Sequence, residues 1–168
     1  MKKTDFKKLL FKVAFCSMAC DGEIVPEEIE ELKLMDKGTT FFQEVDLSDE
    51  LQLLLVELEQ KGVKIVEELF DLLNKSELNT IQELIILEIA LRIIAADKRF
   101  DENEIKFLNL LRAKLHVHDE LIVDRFGDIR ILHTNEYSKN LETKDKNFIN
   151  NLNFPDLNKI EEINLKNA

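Results

Sequence analysis

The chain has 168 residues, of which 45% are hydrophobic, and this suits one globular domain with some excess length. Only two Pro and four Gly argue against a turn-rich β architecture, whereas the many Leu, Ile, Glu and Lys residues at helical spacing favour helices. The formal charge of −11 argues against a nucleic-acid-binding protein, because such proteins need clustered Lys and Arg.

The first 38 residues are predicted to form two helices joined by an acidic turn. Apolar residues follow the helical period from Thr4 to Cys20, and Gly22 is suited to the left-handed backbone of a turn. Pro26 fits the first position of a helix that continues to Gly38. The beginning of the chain does not resemble a signal peptide, and we therefore expect a cytoplasmic protein.

Two cysteines, Cys16 and Cys20, lie one helical turn apart. This spacing is poorly suited to a disulfide and matches neither a zinc site nor a thioredoxin motif. We therefore expect both to be small buried hydrophobic residues.

The middle of the chain contains a helix that is apolar on nearly every side. Helices over residues 51–59, with Ser48 as the cap, and 63–74 precede it. Between Leu84 and Ala96 only Glu88 and Arg92 are polar, a pattern typical of a helix in the centre of a domain and too short for a membrane span.

A second acidic turn follows this central helix. Asp101 is placed as a helix N-cap with Glu104 three residues later, the spacing of a capping box. This helix is expected to end near Leu115, and a last helix is expected over residues 119–132, with Gly127 as its weak point.

Residues 134–168 differ in character from residues 4–133. They are rich in Asn and Lys and have little hydrophobic periodicity, so we expect a polar tail that is either partly flexible or packed on the domain, with a short helix near residues 155–165. The predicted fold is all-α: a single bundle of six to seven helices with an irregular C-terminal tail.

The two acidic turns belong to an internal repeat with an offset of 76 residues. FKVAFCSMACDGEIVPEEIEEL, which begins at Phe11, aligns with LEIALRIIAADKRFDENEIKFL, which begins at Leu87. Asp21 aligns with Asp97, and Glu28 aligns with Glu104. We therefore predict two pseudo-symmetric helix–acidic turn–helix units.

The motif Ala-x-Asp-Gly-x-Ile-x-x-x-Glu at residues 19–28, echoed at residues 96–104, resembles the TerB-like family of tellurite-resistance proteins. The resemblance covers residues 4–132. The TerB-like fold is in turn similar to the N-terminal domain of DjlA-type co-chaperones. It implies an all-α bundle without enzymatic activity. It also implies roles in stress or tellurite resistance, phage defence or membrane-linked stress complexes, and an acidic cluster for which divalent-metal binding has been proposed. The second copy departs from the motif, because Lys98 replaces the Gly and Arg99 follows, and two cations there would compete with a metal.

Two interpretations of the acidic residues remain open. The first is a hard-cation site for calcium, magnesium or manganese, with oxygen ligands from both copies. Its candidate ligands are Asp21, Glu23, Glu28, Asp97, Asp101 and Glu104. The second is helix capping, because carboxylates in a first helical turn are stabilised by ~0.3–1 kcal/mol each. An EF-hand is excluded, because Val25 and Leu32 occupy positions that require oxygen ligands.

The histidines offer a weaker candidate. His116 and His118 could form a surface metal pair, but we expect a solvent-facing pair, since no Cys or third His lies nearby in the sequence.

The expected function is a non-enzymatic interaction module that presents an acidic face to a partner protein in bacterial stress response or defence. The alternative is divalent-cation binding or sensing through the acidic turns. Oligomeric state and partner identity are left open.

Overall fold

The structure, a computed structural model, describes residues 2–133 and 141–166. These residues contain nine α-helices, one short 3-10 helix and no strand, which confirms the all-α prediction. The helices are α1 (Lys3–Ala19), α2 (Pro26–Gly38), α3 (Leu47–Lys61), α4 (Lys64–Lys75), α5 (Thr80–Ala95), α6 (Glu102–Ala113), α7 (Asp119–Phe126), the 3-10 helix (Arg130–Leu132), α8 (Leu141–Asn150) and α9 (Leu157–Glu161).

The centre of the bundle is the contact between α1 and α5, the first helices of the two repeats. A reciprocal capping box starts α5: Asn79 Oδ1 accepts from the Gln82 N–H at 2.8 Å, and Gln82 Oε1 accepts from the Asn79 N–H at 3.0 Å. The interior face of α5 is fully buried, including Ile86, Ile89 and Ile93 at 0% exposure. The prediction that this apolar helix lies in the middle of the domain is confirmed.

The start of α3 differs from the prediction. Asp46, not Ser48, is the cap, because its Oδ1 accepts from the N–H groups of Ser48 and Asp49 at 2.9 and 3.2 Å. The helix therefore begins at Leu47, whose side chain is buried.

The helix predicted over residues 119–132 is also shorter than expected. It ends at Phe126, because Gly127 takes a φ of +86° that a helix cannot include. The Gly127 N–H still bonds the Val123 carbonyl at 2.8 Å, and the chain then resumes as the 3-10 helix.

The described part of the tail packs on the bundle. Residues 134–140, where the tail was predicted to begin, and residues 167–168 lie outside the described residues. Helix α8 packs against α4 and α6, and α9 packs against α3. The buried Lys114 ammonium pairs with Asp145 of α8 and lies 5.1 Å above the Phe70 ring. The two tail helices account for the excess over the six to seven that the sequence predicted.

None of the described helices combines the length and the apolarity that crossing a membrane requires.

Candidate acidic site

The first acidic turn joins α1 to α2 and is closed by its own hydrogen bonds. Asp21 Oδ1 accepts from the Glu23 N–H at 2.9 Å, and the Gly22 N–H donates to the Ala19 carbonyl at 3.0 Å. Gly22 has a φ of +87°, a conformation that glycine adopts without steric cost. At the start of α2, Glu28 Oε1 accepts from the Val25 N–H at 3.0 Å, so Glu28 caps its own helix.

The second acidic turn, between α5 and α6, has the same hydrogen bonds. Asp97 Oδ1 accepts from the Arg99 N–H at 2.9 Å, and the Lys98 N–H donates to the Ala95 carbonyl at 3.1 Å. Lys98 has a φ of +60°, although its Cβ makes this conformation costly. Glu104 Oε1 accepts from the Asp101 N–H at 3.1 Å. The two units are therefore alike in local structure, as the repeat predicted.

The carboxylates of the two turns lie close enough to influence one another. Burial raises the pKa of Glu28 to about 8, and the negative charges of Asp21, Glu104 and Asp97 act in the same direction. The Glu28 side chain has almost no contact with water, at 2% exposure. We call Asp21, Glu28, Asp97, Asp101 and Glu104 the acidic cluster.

Glu104 is the counterpart of Glu28 in the second repeat and behaves similarly. Burial raises its pKa to about 7, with further contributions from Asp21, Asp97 and Asp101. Burial is also the main cause that raises the pKa of the half-buried Asp21, followed by the charges of Asp101, Glu23 and Asp97. Near neutral pH the carboxyl groups of Glu28 and Glu104 therefore retain protons that isolated carboxyl groups would release.

The cluster is not prearranged for a metal ion. Within residues 2–133 and 141–166, no group of three or more His, Cys, Asp or Glu side chains is placed so that it could hold one. One oxygen of each of Glu28 and Glu104 is already occupied by a backbone N–H. Cation binding would therefore require the side chains to move. Lys98 and Arg99, expected to compete with a metal, are exposed and form no ion pair with the cluster in the described part of the chain.

Both cysteines are free and buried, as predicted. Cys20 lies beside the cluster, and burial followed by the charge of Glu104 raises its pKa well above the usual value. Burial also raises the pKa of Cys16 to about 12. Both thiols therefore stay protonated and unreactive at neutral pH.

The surroundings of the two turns differ, which the repeat did not predict. The first turn is covered by the C-terminal segment: a Cβ at Gly22 would lie 3.3 Å from the Asn153 carbonyl oxygen. Beside it, the rings of Phe15 and Phe154 pack edge to face, with their centroids 6.0 Å apart. In the second turn Phe100, which aligns with the half-buried Ile24, is 55% exposed.

Three buried charged residues, one in α5, one in α6 and one just after α6, were missed by the sequence reasoning. Glu83 accepts the N–H groups of His116 and Val117 and so fixes the loop after α6. Arg112 donates to the carbonyls of Leu132 and Val117 at 2.9 and 2.7 Å and pairs with a carboxylate of α7. Lys114 is the third, described above.

His116 and His118 are both exposed, in agreement with the solvent-facing interpretation. His116 Nδ1 lies 3.7 Å from Glu83 Oε1, but in the described residues these side chains belong to no group of three or more that could hold a metal ion.

Comparison of the chain with known protein families, with curated proteins and with solved structures finds no match.

Proposed function

We propose that this chain is a non-enzymatic interaction module of the TerB-like type, which presents an acidic face to a partner protein in bacterial stress response or defence. The repeated motif supports this proposal, because both of its copies form the same turn with the same hydrogen bonds. The excess of acidic residues, 34 against 23 Lys and Arg, favours a partner with basic groups.

The observation that carries the proposal is the exposure of Phe100. Its aromatic side chain is 55% exposed at the tip of the second turn, where Arg99 precedes it and Asp101 follows it. Aromatic residues are common at the centres of interfaces, where charged groups at the rim select the partner. A partner surface with an apolar pocket would match this tip, and the charge of −11 on the whole chain favours basic groups around that pocket.

Affinity purification from the native host tests the proposal, with co-purifying proteins quantified by mass spectrometry. Phe100→Ser should reduce the recovered amount of a true partner by about tenfold, the effect of losing about 1.4 kcal/mol of binding free energy. Leu53→Ser is the matched control, because Leu53 on α3 is equally exposed at 55%. If Phe100→Ser recovers the same proteins in the same amounts as wild type, the second turn is not the docking surface.

A divalent cation is the second candidate, and the clustering of five carboxylates favours it. A cation would replace the protons that burial and mutual repulsion hold on Glu28 and Glu104. Binding would then release protons and would strengthen as pH rises. Calcium and magnesium titrations followed by NMR should shift signals in residues 21–28 and 97–104.

Two variants make the titration decisive. Asp21→Asn should abolish the shifts, whereas Asp124→Asn, which removes an exposed carboxylate from α7, should leave them unchanged. The absence of a response up to about 5 mM ion would exclude the cation candidate at physiological concentrations. It would leave the interaction proposal untouched.

A further inference from the structure

The C-terminal segment, residues 152–165, packs over the first acidic turn through two contacts. The Phe154 ring lies edge to face against Phe15, which is fully buried. The Asn153 carbonyl oxygen passes so close to Gly22 that an added Cβ would lie only 3.3 Å from it. The first helix–turn–helix unit is therefore completed by a segment from the end of the chain.

The same segment adds apolar and charged residues to the contact. Together with the first turn it encloses a cavity of about 150 Å³, whose lining includes Ile24 and Ile160 as apolar residues. Glu23 of the turn and Lys159 of the segment line the same cavity, and their opposite charges attract. The contact thus has an apolar part and a charge-matched part.

The second turn has the same backbone hydrogen bonds as the first, but the counterparts of the covered residues are more exposed. Leu91 aligns with the fully buried Phe15 and is only partly buried. Phe100 aligns with Ile24 and is 55% exposed. The second unit therefore presents the frame of the first without a comparable cover.

Two differences between the turns indicate what kind of segment would fit the second one. Arg99, which is exposed, aligns with Glu23, so the charge that faces a covering segment is reversed. Lys98 carries a Cβ at the position where Gly22 leaves room for a carbonyl oxygen, so a segment lies slightly farther out here. The protein's own segment is matched to the first turn, whereas a segment with a carboxylate in the place of Lys159 matches the second.

We propose that the second turn holds a segment of a partner protein that resembles residues 152–165, with an aromatic residue before a proline and an acidic residue in the place of Lys159. The aromatic ring packs on Leu91, the apolar residues cover Phe100, and the carboxylate faces Arg99. The inference rests on the function proposed above, because it specifies what the exposed Phe100 binds. Basic groups elsewhere on the partner, which the overall charge of −11 favours, are compatible with this contact.

The test is NMR titration of the full-length, ¹⁵N-labelled chain with two peptides, one with the sequence of residues 151–165 and one that also carries Lys159→Glu. The Lys159→Glu peptide should bind with a Kd below about 1 mM and shift the amide signals of residues 97–101. The unaltered peptide should bind this turn about fivefold more weakly, the size of effect that an exposed ion pair has. Equal binding of the two peptides would overturn the proposal. So would shifts confined to residues 22–24, or none up to about 5 mM.

Variants of the protein give a reciprocal readout. Arg99→Glu should invert the preference, so that the unaltered peptide binds about fivefold better than the Lys159→Glu peptide. Phe100→Ser should weaken the binding of both peptides at least about tenfold, whereas Leu34→Ser, at a position on α2 that is 58% exposed, should not. An unchanged preference in Arg99→Glu would show that Arg99 does not face the segment and would refute the proposal.

Failure of this inference can be distinguished from failure of the proposed function. If neither peptide binds but Phe100→Ser still removes a partner in the affinity purification, the second turn is a docking surface and only the assigned segment is wrong. Sedimentation velocity of the wild-type chain tests the other occupant. A dimer that Phe100→Ser dissociates would show that a second copy occupies the turn, which also overturns the proposal.

Discussion

Replacement of Glu28 by Gln should make the folded protein less sensitive to high pH. Gln has the same shape and keeps the Oε1 acceptor for the Val25 N–H, but it cannot acquire a charge. In the wild type the folded state retains the Glu28 proton up to a pKa of about 8, whereas the unfolded chain releases it near 4.5. Because the folded state binds more protons in this window, the wild-type free energy of unfolding falls as pH rises from about 5 to 8.

The size of the effect follows from the pKa shift. A change from 4.5 to about 8 corresponds to about 4–5 kcal/mol at ~1.4 kcal/mol for each unit. Relaxation of the turn and entry of water at high pH should reduce this to about 1–3 kcal/mol. Glu28→Gln should therefore match the wild type near pH 5 and exceed its stability by that amount near pH 9.

Urea denaturation followed by circular dichroism at pH 5, 7 and 9 measures this difference. Glu27→Gln is the matched control, because Glu27 is an exposed neighbour in the same first helical turn, and its effect should not depend on pH in this range. If Glu28→Gln is equally destabilised at every pH, the carboxyl group is charged and satisfied in the folded protein. The account of the acidic cluster would then be wrong.

Three further predictions concern stability. Gly22→Ala should lower the free energy of unfolding by about 1–3 kcal/mol, because the backbone is left-handed and the covering segment is close. Lys98→Gly should raise it by about 0.5–1 kcal/mol, because glycine adopts the same left-handed backbone without steric cost. If both substitutions change the melting temperature in the same direction, the two turns are not alike. Arg112→Met should cost about 3–5 kcal/mol in urea denaturation, because it leaves the buried carbonyls of Leu132 and Val117 without their donor; a loss below about 1 kcal/mol would contradict the assigned contacts. Lys114→Met should raise the rate of amide hydrogen exchange in α8, and adding Asp145→Asn to this variant should restore protection in part. An unchanged exchange rate would show that the Lys114–Asp145 pair does not hold α8 in place.

The acidic turns could be predicted because their hydrogen bonds are local. Asp21 and Asp97 bond the N–H two residues ahead, and Glu28 and Glu104 bond the N–H three residues behind. Such contacts are determined by residue type and spacing alone, so the same motif produced the same turn twice. An acidic cluster was expected from the resemblance to the TerB-like family, but the raised pKa values depend on burial that only the packed structure defines.

The buried charges could not be predicted, because their partners are distant in the sequence. Lys114 and Asp145 are 31 residues apart, and Glu83 and Val117 are 34 residues apart. Glu and Lys side chains are usually exposed, and nothing in the local pattern distinguishes Glu83, in α5, or Lys114, just after α6, from solvated residues. The predicted start of α3 was wrong for a different reason. Asp46 and Ser48 are both residue types that favour the N-cap, and the sequence alone does not choose between them.

The route of the C-terminal segment has a consequence for synthesis on the ribosome. Residues 152–165 pack beside Phe15 and against α3, yet they are translated about ninety residues after α3 is complete. At ~5–20 residues per second, that interval is on the order of 5–20 s. During it the nascent chain lacks the segment that packs against Phe15 and α3 in the folded protein, so this is the period in which chaperone contact or premature self-association would occur there.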